Sequence, residues 1–144
     1  MKVEWLDTHR FCVGPFEVDF EYIAEVISSM PSDRVLAVAA LLDIIPKMAL
    51  TKGQDYGGLT DTFQNYVGPA NAEGFPDWYG PARRLAEKAE RLSILIGQDV
   101  RAIVRGDGPI VPANEGWIET MQDLSWLAAI TVAMKLRSEQ GGVP

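Results

Sequence analysis

Residues 34–50, RVLAVAALLDIIPKMAL, form a long apolar segment whose hydrophobic residues recur at helical spacing. Apolar side chains would cover such a helix nearly all round, so we expect it to be central and buried. Asp43, Pro46 and Lys47 interrupt the segment, which argues against a membrane span. Pro46 predicts a kink or an early end, and Gly53 predicts that the helix stops there.

Two more long helices are predicted at 81–97 and 116–140. Pro81 suits a first helical position, and Gly97 suits a C-cap. Residues 17–30 predict a shorter helix, because their apolar residues recur four positions apart. The segments together predict an all-α bundle of four or more helices.

Three stretches depart from the helical pattern. Residues 53–80 are rich in Gly and Pro and predict a long loop with a short helix at 59–67, and loops of this length in small domains are more often functional than idle. Residues 98–115 begin helical and then become a loop. Residues 2–14 have β character, so a short β-like segment is expected at the N-terminus.

Composition narrows the class of protein. The chain has 144 residues, of which 47% are hydrophobic and 23% charged, as expected for one globular domain spanning 1–144. Its net charge of −7 argues against general nucleic-acid binding. Glu4 and Asp7 lie where a signal peptide needs an apolar stretch, and a single cysteine, Cys12, permits no internal disulfide. We therefore expect a cytoplasmic protein without membrane association.

The last predicted helix contains two carboxylates, Glu119 and Asp123, four residues apart and therefore on one side. Asp123 shares a stripe with Trp126, Leu127 and Ile130 that should be buried. A buried carboxylate requires a metal, a cation or several hydrogen-bond donors. Two alternatives remain open. Asp123 is either structural, as part of a buried salt bridge or as a cap on another helix, or it is a divalent-metal ligand beside Glu119, since Mg²⁺ prefers oxygen ligands.

The helix predicted at 81–97 carries a separate cationic face formed by Arg84, Lys88 and Arg91. One interpretation is a solvated face with Glu87 and Arg91 as an ion pair one turn apart. The other is a strip that binds phosphates, with Glu87 or Glu90 completing a metal site. Its apolar stripe is predicted to consist of Leu85, Ala89, Leu92 and Ile96.

The segment KGQDYGG, residues 52–58, also has two interpretations. Lys52 is favourable at a helix C-terminus, and Asp55 can fix a turn through its side chain. Paired glycines allow either a tight turn or close approach of the backbone to a ligand. The segment is therefore an ordinary helix stop, or one wall of a site that includes Lys52, Asp55 and Tyr56.

Three blocks, KGQDYGG (52–58), RLAEKAERL (84–92) and ETMQDLSWLA (119–128), together resemble the nucleotide-modification-associated domain of bacteria and phages. The resemblance covers about residues 48–134 and leaves 1–31 as an N-terminal extension. The chain departs from the family at Leu127, where an aromatic residue is usual, and in a longer loop after the first block. The matching residues are Lys52, Asp55, Tyr56, Gly57, Arg84, Glu87, Lys88, Arg91, Glu119, Thr120 and Asp123.

A looser resemblance links the chain to MazG-type all-α nucleotide pyrophosphohydrolases. Glu87 and Glu90 fit that family's first acidic motif, whereas Glu119 and Asp123 are four apart where its second motif has three. The two resemblances imply that the protein binds a nucleotide together with Mg²⁺, and a deoxynucleotide is the leading candidate. They also imply pyrophosphohydrolysis or support of nucleotide or DNA-base modification, in the host cytoplasm if the protein is phage-encoded.

The resemblances imply roles for individual residues. Asp123 and Glu119 would be catalytic and, with Glu87 and Glu90, would hold the metal. The nucleotide would be bound by Lys52, Asp55, Tyr56, Arg84, Lys88, Arg91 and Trp126, with Tyr56 or Trp126 stacking on the base. A homo-oligomer is expected, because small all-α nucleotide enzymes often dimerise to complete their sites. The alternatives are a protein that sequesters a nucleotide-like ligand, and a structural phage protein in which Asp123 forms an ion pair only.

Overall fold

A computed structural model describes residues 2–55, 68, 70–111 and 115–140, and for residues 52–55 it describes the backbone alone. The predicted short helix at 59–67 lies outside the described residues. The chain is mainly helical, as predicted, and begins with an antiparallel sheet in the order β1-β2-β3. The elements are β1 (Val3–Trp5), β2 (Arg10–Val13), β3 (Phe16–Asp19), α1 (Phe20–Ser29), α2 (Ser32–Asp55), α3 (Tyr79–Val104) and α4 (Trp117–Glu139).

Two tight connections join the three strands of the sheet. Between β1 and β2, the Asp7 carboxylate accepts hydrogen bonds from the backbone N–H groups of His9 and Arg10, both at 2.8 Å. These bonds, with the side-chain bond from Arg10, hold the pKa of Asp7 below its ordinary value. Between β2 and β3, Gly14 adopts a φ of 54°, a conformation that glycine tolerates best. The β-like N-terminal segment is thus a three-stranded sheet.

The predicted helix at 17–30 begins too early. Residues 17–19 belong to β3, where Glu17 pairs with Cys12, and the helix starts at Phe20. Asp19 ends the strand and caps the helix, since its side chain accepts a hydrogen bond from the Tyr22 N–H at 3.0 Å. Helical spacing across residues 17–19 was misleading because an alternating strand pattern runs directly into the helix.

Helix α2 differs from its prediction in length and in burial. It continues through Pro46 and Gly53 as far as Asp55, the last described residue of this segment, so neither Pro46 nor Gly53 stops it. A proline removes a single backbone N–H donor, which the hydrogen bonds of a long helix on either side can outweigh. None of the α2 side chains that the structure describes is buried, and Leu36 and Leu50 are 73% and 71% exposed. The expectation of a central, buried helix was wrong.

Helix α3 is longer than predicted. It continues past Gly97, which is therefore not its C-cap, and ends at Val104. Arg105 is the C-cap, and Gly106 follows it in the left-handed conformation, with a φ of 80° and an N–H that donates to the carbonyl of Ile103 at 3.0 Å. The N–H of the next residue, Asp107, donates to the Ala102 carbonyl at 3.0 Å.

The core lies on α4, whose most extensive helix contact is with α3. Leu127, Ile130 and Met134 are buried there, so the predicted apolar stripe of the last helix is confirmed at Leu127 and Ile130. Partly buried Trp78, Leu85 and Trp126 surround them. Within the described ranges, every helix is too short or too polar to cross a bilayer.

Candidate functional site

The contact between α3 and α4 joins two stripes whose residues alternate three and four positions apart. The more buried side of α3 carries Pro81, Leu85, Lys88, Leu92, Leu95, Asp99 and Ala102. The corresponding residues of α4 and its N-cap are Gly116, Thr120, Asp123, Leu127, Ile130 and Met134. Each stripe therefore brings polar residues into a largely apolar contact: Lys88 and Asp99 from α3, Thr120 and Asp123 from α4.

The side of α3 that is buried is rotated about the helix axis relative to the predicted apolar stripe. Ala89 and Ile96, expected in its apolar stripe, are exposed, whereas Lys88, expected on a separate face, is partly buried. Helical spacing assigned the stripe from apolar residues alone. Lys88 and Asp99 lie inside because α4 and the residues before it supply their polar partners.

Lys88 lies at the centre of the polar contact. Its Nζ donates to Asp123 Oδ2 at 2.5 Å and to the Glu115 carboxylate oxygens at 2.9 and 3.1 Å. The Lys88 and Asp123 side chains are only 18% and 14% exposed, so water screens this ion pair less than a surface pair. Burial lowers the pKa of Lys88, but hydrogen bonds to Asp123 and Glu115 outweigh burial and raise the pKa above its ordinary value.

Glu115 connects this ion pair to its surroundings. Arg91 Nη1 lies 3.4 Å from Glu115 Oε2, and Arg91 Nη2 donates to the Glu115 carbonyl at 3.2 Å. The fully buried hydroxyl of Thr120 is 3.3 Å from Glu115 Oε1 and 2.9 Å from the carbonyl of Gly116. Lys88, Arg91, Glu115 and Asp123, which we call the ion cluster, thus contain two cations and two carboxylates and are together neutral.

A cavity of about 520 Å³ opens beside the ion cluster. Arg91 and Glu115 belong to both, and Glu119 also lines the cavity. The remaining lining residues come from α3, the following loop and the start of α4: Leu95, Gln98, Asp99, Pro109, Ile110, Val111, Gly116, Trp117 and Ile118. The lining is mainly apolar, with a few charged groups that could orient a ligand.

Asp99 fixes one wall of this cavity. Its Oδ2 accepts a hydrogen bond from the indole Nε1 of Trp117 at 3.3 Å, and its Oδ1 accepts one from the backbone N–H of Ile110 at 2.9 Å. One carboxylate on α3 therefore holds both the loop and the first residue of α4. The Trp117 ring is held in place while part of it stays exposed to the cavity.

The structure separates the predicted site residues of α3. Lys88 and Arg91 belong to the ion cluster, whereas Arg84 and Glu90 are exposed. Glu87 is exposed and pairs with Arg83, 3.3 Å away, one turn earlier on α3. The alternative ion pair between Glu87 and Arg91 was therefore wrong, because Arg91 turns toward Glu115.

The remaining predicted residues lie on other elements. Trp126 packs against the core of α4, and its buried Nε1 has no hydrogen-bond partner among the described residues. The backbones of Lys52 and Asp55 belong to the last turn of α2 that the structure describes. The side chains of those two residues, and all of Tyr56, lie outside the described part of the chain. Of the predicted set, the structure brings Lys88, Arg91 and Asp123 together in the ion cluster, and Glu119 lines the cavity together with Arg91.

Sequence reasoning missed Glu115, Asp99 and Trp117. Asp99 could have been found, because it follows Leu85 and Leu92 at intervals of seven residues on the same side of the helix. Trp117 follows a Gly/Pro-containing loop at the start of a helix, a position typical of binding sites. Glu115 carries no such periodic signal, since it precedes α4.

The carboxylates around the cavity meet the needs of Mg²⁺ only in part. The described residues contain no group of three or more His, Cys, Asp or Glu residues placed to hold a metal ion. Mg²⁺ is commonly held by one or two carboxylates, with substrate phosphates and water completing its ligands. Glu119, which lines the cavity, can supply one such carboxylate when a phosphate is present, whereas both carboxylate oxygens of Glu115 already accept hydrogen bonds from Lys88. Comparison of the chain with protein-family models, curated proteins and solved structures found no match.

Proposed function

We propose that the protein binds a nucleotide in the cavity between α3 and α4, and that a deoxynucleotide is the leading candidate. The observation that carries the proposal is a cavity of about 520 Å³ lined by both the Trp117 indole and the Arg91 guanidinium. This volume lies within the range of small-molecule sites, about 300–1,000 Å³. The three sequence blocks that resemble nucleotide-modification-associated domains support the same ligand class.

The cavity offers separate surfaces for the two ends of a nucleotide. Stacking of a base on an aromatic ring contributes about 1–3 kcal/mol, and Trp117 is already oriented by Asp99. Leu95 and Ile110 supply apolar contacts. Arg91 uses two of its nitrogens for Glu115, and a guanidinium has five N–H donors, so donors remain for a phosphate.

In this proposal the ion cluster positions the phosphate-binding residues. Lys88 neutralises Asp123 and shares Glu115 with Arg91, which fixes the guanidinium beside the cavity. Asp123 and Glu115 then organise the cations, while Glu119 is the carboxylate of the cavity that would hold Mg²⁺ together with the phosphates. When bound, Mg²⁺ would neutralise phosphate charge and polarise phosphoryl oxygens. A divalent cation also offsets the repulsion expected between an anionic ligand and a chain of net charge −7.

The proposal is tested by isothermal titration calorimetry with the four deoxynucleoside triphosphates, the matching ribonucleotides and inorganic triphosphate, each with and without Mg²⁺. We expect at least one nucleotide to bind more tightly than inorganic triphosphate. Arg91→Ala and Trp117→Ala should each weaken that binding at least tenfold. Arg83→Ala is the matched control, because Arg83 lies on the same helix but pairs with Glu87 at the surface. No binding across the panel, or equal losses for Arg83→Ala and Arg91→Ala, would count against the proposal.

Product analysis separates an enzyme from a sequestering protein. The bound nucleotide is recovered by denaturing the complex and is analysed by ion-exchange chromatography. Release of pyrophosphate and a monophosphate indicates pyrophosphohydrolysis, with Glu119→Gln expected to abolish it. Recovery of the unchanged nucleotide indicates sequestration at the same site.

A purely structural role is the second candidate, and the neutrality of the ion cluster favours it. Because each charge of Lys88 and Asp123 already has a partner, the pair has a sufficient structural explanation. Under that alternative, Asp123→Asn lowers the free energy of unfolding. The wild type and the variant then both show no nucleotide binding in the titrations. Nucleotide binding by the wild type that is lost in Arg91→Ala excludes it.

A further inference from the structure

A second cavity, of about 330 Å³, lies at the C-terminal end of α3. It shares Pro109 and Ile110 with the proposed nucleotide cavity, whereas neither Arg91 nor Trp117 lines it. Its volume is near the lower limit of the range for small-molecule sites, about 300–1,000 Å³, so its ligand should be smaller than a nucleotide.

Two arginines supply the positive charge of this second cavity. Arg101 and Arg105 lie one turn apart at the end of α3, and neither forms an ion pair within the described ranges of the chain. Like charges at this spacing destabilise a helix. By contrast, Arg83, Lys88 and Arg91 of the same helix are all paired with glutamates. In a chain with 20 acidic residues and a net charge of −7, two adjacent arginines without a carboxylate partner indicate a site for an external anion.

We propose that the second cavity binds a phosphate group through Arg101 and Arg105. A guanidinium donates two parallel hydrogen bonds to the oxygens of one phosphate, and a tetrahedral phosphate has enough oxygens for two guanidinium groups. A phosphate monoester carries a charge of about −1.5 to −2 at pH 7, which offsets both arginines, whereas a carboxylate offsets only one. Gly108 also lines the cavity, and its backbone N–H donates to no group in the described part of the chain, so it remains available to a phosphate oxygen.

Gly97 leaves room for one of the two guanidinium groups. A Cβ at this position would lie 3.5 Å from Nη1 of Arg101, so the guanidinium rests directly beside the bare backbone of α3. An alanine would fit there at an ordinary contact distance, but a longer side chain would displace the guanidinium. The glycine that α3 carries through its interior is thus explained by the position of Arg101.

Asp107 is the carboxylate of this cavity, and it forms no ion pair with either arginine in the structure described. It lowers the charge of the lining from two positive charges to one, so its removal should tighten phosphate binding. Removal of Arg101 or Arg105 should weaken it. The last carbonyls of α3 also favour nearby cations, which is a structural explanation for both arginines. That explanation predicts a loss of stability in the arginine variants without any effect on a ligand.

The test is an NMR titration of the full chain with inorganic phosphate at constant ionic strength, so that salt screening is equal at every point. We expect the Gly108 amide signal to shift and to saturate. Arg101→Gln and Arg105→Gln should each weaken phosphate binding about fivefold or more, because each loses charge-assisted hydrogen bonds. Asp107→Asn should tighten it about twofold or more, because a repelling charge is removed. Arg34→Gln is the matched control, since it changes the net charge equally at an exposed arginine of α2 that does not line the cavity.

Two further ligands define the chemistry that is recognised. Acetate, titrated in the same way, should bind far more weakly than phosphate. Glycerol 3-phosphate separates the two sources of a phosphate group: tighter binding than inorganic phosphate identifies a phosphate ester as the ligand, and equal or weaker binding identifies the free ion.

Several results would overturn the proposal. They are the absence of a saturable shift, an equal response to acetate, and equal losses for Arg34→Gln and Arg101→Gln. If an arginine variant fails to fold, Asp107→Asn still decides, since unchanged or weaker phosphate binding in that variant contradicts the site. The inference does not rest on nucleotide binding, because the Trp117 indole signal reports on the other cavity separately. A phosphate-dependent shift of that indole signal without one at Gly108 overturns the second site and leaves the nucleotide proposal standing.

Discussion

Replacing Lys88 by methionine should destabilise the fold by removing the cation shared by Asp123 and Glu115. Breaking a fully buried ion pair by removing one partner costs about 3–5 kcal/mol. The pair here keeps slight solvent access, with Lys88 and Asp123 at 18% and 14% exposure, and Glu115 retains Arg91. We therefore expect a loss of about 2–3 kcal/mol, which is less than the cost for a fully buried pair.

The expected loss converts into a measurable shift in Tm. Unfolding entropy of about 2.1 cal/mol/K per residue gives about 0.3 kcal/mol/K for this chain. A loss of about 2–3 kcal/mol then lowers the Tm by about 7–10 °C. Urea unfolding followed by circular dichroism at one fixed protein concentration gives the free energy, and calorimetry at the same concentration gives the Tm.

Lys47→Met is the matched control for this variant. Lys47 also pairs with an aspartate, Asp43, at 2.6 Å, but both side chains are well exposed, so its loss should cost at most about 0.5 kcal/mol. A double-mutant cycle of Lys88→Met with Asp123→Asn should give a coupling energy of about 1 kcal/mol or more. Equal losses in the free energy of unfolding for Lys88→Met and Lys47→Met would refute the reasoning, because the partly buried ion pair would then stabilise the fold no more than an exposed one.

The pH dependence provides an independent check on the same residue. The folded-state pKa of Lys88 is raised above the ordinary value of 10.5, so its contribution is complete below that pH. As the pH rises above 10.5 and through the folded-state pKa, the ammonium loses its proton and the contribution disappears. The difference in stability between the wild type and Lys88→Met should therefore be constant near neutral pH and shrink only in strong alkali.

Three further variants test the core, the buried hydroxyl and the cavity wall. Ile130→Ala, at a residue 2% exposed, should cost about 2–4 kcal/mol in urea unfolding, whereas Val132→Ala on the outer side of α4 should cost much less. Thr120→Val should cost about 1 kcal/mol in the same assay, because a fully buried hydroxyl loses its hydrogen bonds, and a neutral result would refute that role. Asp99→Ala should speed hydrogen exchange of the Ile110 amide, measured by NMR, and unchanged exchange would show that Asp99 does not hold the loop.

Local sequence patterns predicted which segments are helical more accurately than they predicted where each helix ends. Pro81 and the periodic stripe of the last helix identified α3 and α4, whereas Gly97 and Gly53 were mistaken for helix stops. A glycine is destabilising within a helix by only about 1 kcal/mol, so neighbouring hydrogen bonds and packing can carry a helix through it. The true end of α3 needs a left-handed backbone at Gly106, just after the C-cap, and that conformation depends on the whole turn that follows α3.

The candidate site was predictable to the extent that it depends on one helix at a time. Asp123 was expected on a buried stripe and in need of a partner, and the structure pairs it with Lys88. The partner could not be chosen from spacing, because Lys88 and Asp123 are 35 residues apart in sequence. Glu115 and Trp117 enter the site through the loop before α4, whose path is not encoded by periodicity.

The sequence by itself determined that this chain is mainly helical, which segments form the long helices, and which side of α4 is apolar. These properties follow from hydrogen bonds and side-chain spacing within one segment. Only the tertiary structure decided that Lys88 and Asp99 face inward and that α2 remains exposed. The physical reason is that burial belongs to pairs of surfaces: a helix pattern specifies a side that can be covered, but the surface that covers it lies elsewhere in the chain or on another molecule.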